Sequence, residues 1–388
     1  MTREGPRAVI NDRPASRPSL PRYGDCSLSD LACSVLASLG VAGEPDPLPL
    51  PPAERACLLV VDGLGWELLR EHPAAAPFLS ELAMAGRPLT AGFPATTATS
   101  LASLGTGRPP GQHGVLGYQV AVPGEGRLLN ALHWDSAVDP VAWQPGSTIF
   151  ERAAANGISA FRVGRSAYRR TGLCVATTRG ADYVSANTLG ALAAQAAATL
   201  RRSGRALVVV YQCDLDATGH AFGCSSDAWR YQLGHVDKLA EQLAGARPPG
   251  TVLHVTADHG MVDVPPQDRI DVDSVPGLRA GVALLGGEPR ARHVYAEPGA
   301  AGDVLATWRG VLGHRAWVAS REEAIAGGWF GPVDAWLVPR IGDVVVAPAG
   351  PWAIVATKAE PQESALVGMH GSLTSADQLV PLLTTPAR

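Results

Sequence analysis

Seven side chains of the kinds that bind divalent cations fall in five short motifs. They are Asp62 in LLVVDGLGW, a threonine in FPATTATSLASLGTG, Asp216 and His220 in VVVYQCDLDATGH, Asp258 and His259 in LHVTADHGM, and His370 in VGMHGSL. Each motif stands alone as an ordinary structural feature. Asp-Gly is a common turn pair, an Asp and a His four residues apart can cap or fill, and a threonine-rich helix start can be an N-cap. The Asp258-His259 pair is harder to explain that way, because adjacent oxygen and nitrogen donors ending an apolar strand both need partners once buried. Carboxylates and imidazoles on a hard-to-borderline divalent ion account for all of them together. Thr96, Thr97, Thr99 and Ser100 precede or open a helix whose first N–H groups are free to meet an anion. A hydroxyl there can act as a nucleophile once a cation lowers its pKa. Phosphoryl chemistry is the leading expectation.

The elements that must hold these residues read as βαβ units. ACLLVVD, SAFRVG, RALVVVYQ and TVLHVTAD are apolar runs of strand length, and TIFERAAANG, TLGALAAQAAATLRRSG and DAWRYQLGHVDKLAEQLAG are helical. This alternation predicts an α/β fold with a mostly parallel central sheet and helices on both faces. Such sheets present functional loops at the carboxyl ends of their strands. Asp62, Asp216 and Asp258 all fall there.

The rest of the chain divides around this core. Residues 1–45 form an N-terminal arm, loosely packed to about residue 24, and a capped helix from Ser27 to Gly40. The catalytic core occupies 46–262 and returns at 345–388, through the strand DVVVAPAG and a final helix SADQLVPLL. Between them, 263–344 read as an inserted α+β cap with short strands (AGVALLG, RHVYAE, AWVAS) and two helical stretches. Arg292, His293, Tyr295 and Arg340 are its polar candidates for touching a leaving group, although a solvated surface is the simpler reading for each. Asn130, Trp134 and Asp135 are candidates for the pocket wall.

At 388 residues with 46% hydrophobic and 18% charged content, the chain can bury a large interior. A net charge of −4 gives no basic surface for a nucleic acid polymer. No run of about 18 apolar residues predicts a membrane span, and no signal core opens the chain. Six scattered cysteines without a CxxC pair fit free thiols in a reducing cytoplasm. Two lysines against thirty arginines, with abundant Ala, Gly and Pro, fit a GC-rich bacterial coding bias.

In order and spacing, VVDGLGW, FPATTATSLASLGTGRPPGQHGVLGY, DATGH, ADHGM and GMHGSL resemble the alkaline phosphatase superfamily. Within it they are most similar to the nucleotide pyrophosphatase/phosphodiesterase group. The resemblance selects Thr97 as the nucleophile, nine residues before the Thr of Thr106-Gly107 and sixteen before His113-Gly114, with Thr96 as the fallback. It also implies two Zn2+, with Mn2+ able to replace zinc. Asp216, His220 and His370 would hold one ion, and Asp62, Thr97, Asp258 and His259 the other. The implied reaction passes through a phosphothreonine and is then completed by water. His113 is left a structural role.

Where the family's diesterases often carry an Asn twenty-one residues after the nucleophile, this chain has Tyr118, whose phenol can donate to a phosphoryl oxygen. The expected substrate is a small, nucleotide-like phosphate ester. Phosphomonoesterase and phosphonoacetate hydrolase activity are the alternatives within the superfamily. The non-enzyme alternative, a decayed binding protein, predicts a lost ligand or nucleophile, and none is lost.

Overall fold

A computed structural model describes residues 17–386. The expected core is present. A seven-stranded sheet runs in the order Arg87–Thr90, Leu379–Thr384, Thr251–Ala257, Arg55–Val61, Ala206–Gln212, Ser159–Gly164, Asp182–Ser185. Leu379–Thr384 lies antiparallel to both its neighbours, and the pairings from Thr251–Ala257 across to Asp182–Ser185 are parallel. The three central strands are buried along almost their whole length, so they read as continuous apolar runs rather than alternating ones. Helices Leu189–Arg202 and Asp227–Ala246 pack against each other, their apolar stripes turned to the core. Among the described residues no helix is long and apolar enough to cross a membrane, and all six cysteines are free.

Strand register decides where the chemistry sits. Val61 pairs with Gln212 on one side and with Ala257 on the other. The three strands therefore end level, and the residues that follow them emerge at one edge of the sheet. Asp62 leaves this edge with its N–H still donating to Gln212 O (2.9 Å). Gly63 turns there with φ +74°, and a Cβ on it would lie 3.1 Å from the Asp216 backbone, so glycine lets the two loops approach.

A four-stranded antiparallel sheet, ordered Val282–Glu288, Ala291–Ala296, Val344–Pro348, Ala316–Ser320, forms the second layer system. Helix Ala301–Leu312 packs on it around Trp308. The expected strand DVVVAPAG exists but belongs to this smaller sheet, not the core, because strand-length apolar runs do not encode which sheet they join. The expected final helix SADQLVPLL is also corrected. Thr374 caps a single turn, Ser375–Gln378, and Leu379–Thr384 continues as a core strand that buries Val380, Leu382 and Leu383. The tertiary slot between Arg87–Thr90 and Thr251–Ala257 outweighs the weak helical spacing of so short a run.

At the N-terminus the helix is Leu28–Ser38 with a Ser27/Asp30 capping box. Residues 1–16 of the expected arm lie outside the described residues. Its remainder is fastened rather than loose, since Tyr23 OH donates to Trp329 O (2.9 Å) and accepts from Phe93 N–H (3.0 Å).

The last segment of the site arrives on a two-residue strand, Gly368–Met369, paired antiparallel with Val262–Asp263. Gly368 is required by space. A Cβ there would meet Met261 Sδ at 2.5 Å and Gly219 O at 2.7 Å. Gly368→Ala should displace the loop and cost about 1–3 kcal/mol in urea denaturation. Trp308 is fully buried, and its indole N–H reaches Leu278 O (3.2 Å). Trp308→Ala should lower stability by about 3–5 kcal/mol, read as a fall in the denaturation midpoint.

Candidate metal centre and active site

Two clusters form at the level edge of the central strands. Asp62, Asp258 and His259 make one, and Asp216, His220 and His370 the other. In each, one donor atom per residue lies within 4.8 Å of the others. Asp62, Asp258 and His259 come straight off strand ends. Asp216 and His220 lie one turn apart on helix Asp214–Phe222, with His220 Nε2 3.2 Å from Asp216 Oδ2, as the four-residue spacing predicts. His370 closes the second cluster, its Nε2 3.9 Å from Asp216 Oδ1, and its ring stacks on His259 with centroids 3.6 Å apart.

All three imidazoles are set the same way. His220 Nδ1 is 2.7 Å from Gly368 O, His259 Nδ1 2.9 Å from Gly260 O, and His370 Nδ1 3.0 Å from Ala95 O. A carbonyl only accepts, so each Nδ1 carries the proton and donates, which turns Nε2 inward. That is the tautomer a metal ligand needs, fixed by outer hydrogen bonds.

The electrostatics call for added positive charge. Burial, then repulsion from Asp216, raises the Asp62 pKa, and burial together with Asp62 raises that of Asp258 well above the carboxylate range. Burial opposes charge on His220, but the Asp216 carboxylate outweighs it and lifts the imidazole to about 9. Asp258 and Asp62 do the same for His259. Asp216, beside these imidazoles, is held below the usual range despite its burial. His370 moves the other way: burial and the charge on His259 press it well below normal. Asp216 Oδ1 and Asp258 Oδ2 are buried and accept no hydrogen bond. Orphaned carboxylate oxygens beside inward-facing imidazole nitrogens fit divalent cations, which supply the missing charge and use both donor types.

Thr97 opens helix Thr97–Thr106, after Thr96 at the N-cap. Its Oγ1 is 3.2 Å from His259 Nε2 and 3.5 Å from Asp62 Oδ1. Thr96, the fallback, faces elsewhere and donates to Glu288 Oε2 (2.9 Å). Thr99 and Ser100 are fully buried in the helix. The helix start is clamped to the His370 loop, because Ala95 N–H donates to Gly371 O (2.9 Å) and the buried amide of Gln378 donates to Gly92 O (2.7 Å) and Ser372 O (2.9 Å). His113 lies apart from both clusters, 3.1 Å from Ser103 Oγ and accepting from Val115 N–H (3.1 Å), bracing the helix as expected.

Two cavities meet at Thr97, Leu132 and Asp216. The larger, about 370 Å³, is walled by Arg162, Arg165, Tyr168, Tyr183, Tyr211 and Cys174, among others. The smaller, about 210 Å³, is bordered by His220, His370, Tyr118, Glu288 and Glu363. Tyr118 is half-buried in this second space and donates to Glu363 Oε1 (3.1 Å); burial pushes its phenol up to about 12.

The cap candidates are elsewhere. Arg292 pairs with Glu360 (2.7 Å), His293 bonds Leu116 O (3.0 Å), Tyr295 donates to Arg340 O (2.7 Å), and Arg340 donates to Gly114 O (2.9 Å) while stacking on Trp143. All four are buried, which corrects the solvated reading as well as the leaving-group one. Through Leu116 O, Gly114 O and Ala121 N–H, His293, Arg340 and Tyr295 tie this region to the 114–121 segment. Of the suggested wall residues, Asn130 accepts from Leu132 and His133 N–H, Trp134 bonds Val138 O, and Asp135 pairs with Arg127.

Four residues at the site escaped sequence reasoning. Glu288 ends a cap strand and reaches within 3.7 Å of His370 Nδ1; burial raises its pKa to about 8. Glu363 holds Tyr118. Tyr211 hydrogen-bonds Asp62 Oδ2, and Arg162 stacks on the Tyr211 ring. Polar-tipped residues inside apolar strands, Arg162 in SAFRVG and Tyr211 in VVVYQ, were the available signal. Glu288 and Glu363 carried none.

The model of the type I phosphodiesterase / nucleotide pyrophosphatase family matches residues 56–373. A search of curated proteins gives no match. Among solved structures the chain is similar to murine ectonucleotide pyrophosphatase / phosphodiesterase 5 in an inactive threonine-to-alanine form with AMP. That likeness has TM-score 0.66 and 17% identity, covering 84% of this chain and 87% of that one. The human counterpart gives TM-score 0.66 at 18% identity, covering 85% and 87%. Phosphonoacetate hydrolase from Sinorhizobium meliloti 1021, in complex with phosphonoformate, gives 0.64 at 19%, covering 86% and 90%. At such identities these likenesses speak for the fold alone. With a family model spanning most of its length, the chain belongs to the type I phosphodiesterase / nucleotide pyrophosphatase family and is a phosphoric ester hydrolase.

Proposed function

We propose that the protein hydrolyses small, nucleotide-like phosphodiesters in two steps through a phosphothreonine on Thr97. The observation that carries this reading is the position of Thr97 Oγ1, in the first turn of a helix and 3.2 Å from His259 Nε2 within the Asp62, Asp258, His259 cluster. These three residues with Thr97 would hold one zinc ion, and Asp216, His220 and His370 a second; manganese suits the same donors. Bound there, the ions supply Lewis acidity, making the threonine hydroxyl and a water ionisable near neutral pH and balancing charge on the apical oxygens.

Thr97 Oγ attacks phosphorus in line, forming the Oγ–phosphorus bond as the bond to the leaving oxygen breaks, and the proton lost from the hydroxyl is balanced by the one the departing oxygen takes up to leave as the alcohol. Water then cleaves the phosphothreonine, and the proton it releases restores the hydroxyl. Throughout, the free N–H groups at the helix start face the non-bridging oxygens. Tyr118, across the smaller cavity, donates to one of these oxygens after leaving Glu363. A diester is favoured over a monoester because space opens on both sides of Thr97, one cavity for each organic arm. AMP in the murine structure is in keeping with a nucleotide-like arm. The free thiols fit a cytoplasmic enzyme.

The zinc-loaded protein should turn over bis-p-nitrophenyl phosphate faster than p-nitrophenyl phosphate and lose that activity to a chelator. Thr97→Ala should lower turnover by at least ~10³-fold while metal content by elemental analysis stays near wild type. Asp258→Asn should lose bound metal as well as activity. Unchanged diester turnover in Thr97→Ala would remove the nucleophile assignment.

A further inference from the structure

Arg162 lies in the central sheet, on strand Ser159–Gly164, paired with Val209 on one side and Tyr183 on the other. Its residue is only 7% exposed. The deeply buried arginines in and beside the smaller sheet are matched: Arg290 with Asp377, Arg292 with Glu360, Arg340 with backbone carbonyls. Arg162 makes no side-chain hydrogen bond or ion pair to any described residue. Its one partner is the face of Tyr211, 4.7 Å from the guanidinium carbon. An aromatic face offsets only part of the cost of removing a guanidinium from water, and it satisfies none of the five N–H donors.

What Arg162 does face is the 370 Å³ cavity that opens onto Asp62, Thr97 and Asp216. Tyr211 links the two ends of this arrangement, since its ring carries Arg162 and its hydroxyl bonds Asp62. Arg165 stands on the same wall, paired with Asp214. The cavity on the other side of Thr97 has no arginine in its wall, where Glu288 and Glu363 stand instead. An anionic group on a substrate arm therefore finds guanidinium donors only on the Arg162 side.

We propose that Arg162 is a specificity-determining residue that binds a second anionic group, a carboxylate or a phosphate, on the substrate arm lodged in the larger cavity. The planar fork of a guanidinium matches either anion through two parallel N–H···O bonds. The substrate class is then a phosphodiester with a further anion on one arm, which rests on the phosphodiesterase reading above and narrows it.

The test uses matched probes on the zinc-loaded protein. For turnover, p-nitrophenyl phenyl phosphate is compared with its 3-carboxyphenyl and 3-phosphonooxyphenyl analogues. For binding without turnover, calorimetry compares phenylphosphonate with 3-carboxyphenylphosphonate and benzene-1,3-diphosphonate. Wild type should prefer the doubly anionic probes in both readouts by roughly tenfold or more, and the carboxylate and phosphate arms tell which anion the site takes. Arg162→Gln should erase the preference while turning over the phenyl ester within about threefold of wild type, and Arg162→Lys should keep part of it. Equal affinity of the wild type for singly and doubly anionic probes, or a preference untouched in Arg162→Gln, overturns the proposal. A preference in binding with no diester turnover at all would instead keep Arg162 and discard the phosphodiesterase reading. Should Arg162→Gln fail to fold, by circular dichroism, Tyr211→Phe and Arg162→Lys in the binding arm decide: Tyr211→Phe leaves the ring in place and should retain the preference, whereas Arg162→Lys should reduce it.

Discussion

Three carboxylates are gathered at one edge of the sheet, Asp62 and Asp258 buried and Asp216 partly so, and their mutual repulsion in a poorly solvated space is the constraint around which the rest is arranged. Like charges removed from water raise one another's pKa unless positive charge sits among them. The fold brings three imidazoles to the same spot and fixes each with its Nδ1 proton on a backbone carbonyl; the carboxylates raise His220 and His259, but burial and the charge on His259 press His370 down, so imidazoles do not balance all the acids. A cation centre resolves the conflict, and the threonine hydroxyl lies inside it. Without that centre the six residues would be among the costliest groupings in the molecule.

Such a cluster is useful only if its parts do not relax apart. Helix Asp214–Phe222, the Thr97 helix start and the His370 loop come from distant parts of the chain, and their fastenings are short and buried. Ala95 and Gly371 share a backbone hydrogen bond, Gln378 spans Gly92 and Ser372, and Val367 N–H donates to His220 O. The smaller sheet is attached in the same manner. Arg290 grips Asp377 with two hydrogen bonds of 2.9 and 2.6 Å, His293 and Arg340 bond Leu116 O and Gly114 O, and Tyr295 OH accepts from Ala121 N–H. Removing one partner of a buried pair such as Arg290–Asp377 leaves an uncompensated charge, so these contacts fix position more than they add net stability. Glu288, two residues before Arg290, is held at the site by that anchor.

The two cavities that meet at Thr97 differ in the donors they offer as well as in size. Arginine and tyrosine wall one, and glutamate and tyrosine the other. A substrate with unlike arms would be oriented by this contrast, because only one cavity offers guanidinium donors to an anion.

Much of this was legible in the chain itself. Apolar runs such as LLVV, LVVV and LHVTA specify buried parallel strands, and an aspartate after each can only lie at the sheet's carboxyl edge, so the core and the cluster's acidic residues follow from local pattern. The Asp216–His220 pair follows from helical periodicity, and five motifs in order carry the family. Strand destination was not legible. VVVAP in the smaller sheet and LVPLL in the larger have the same local character, and only the vacant slot beside Thr251–Ala257 decides which one enters the core. Nor was the fate of lone polar residues. Arg292 and Glu360 bury one another's charge, Arg340 is held by backbone carbonyls and the face of Trp143, Glu288 and Glu363 enter the site, and Arg162 faces a cavity, for one shared reason: the partner that makes a buried polar group tolerable, or leaves it waiting for a ligand, is chosen by packing across hundreds of residues and not by its neighbours in sequence.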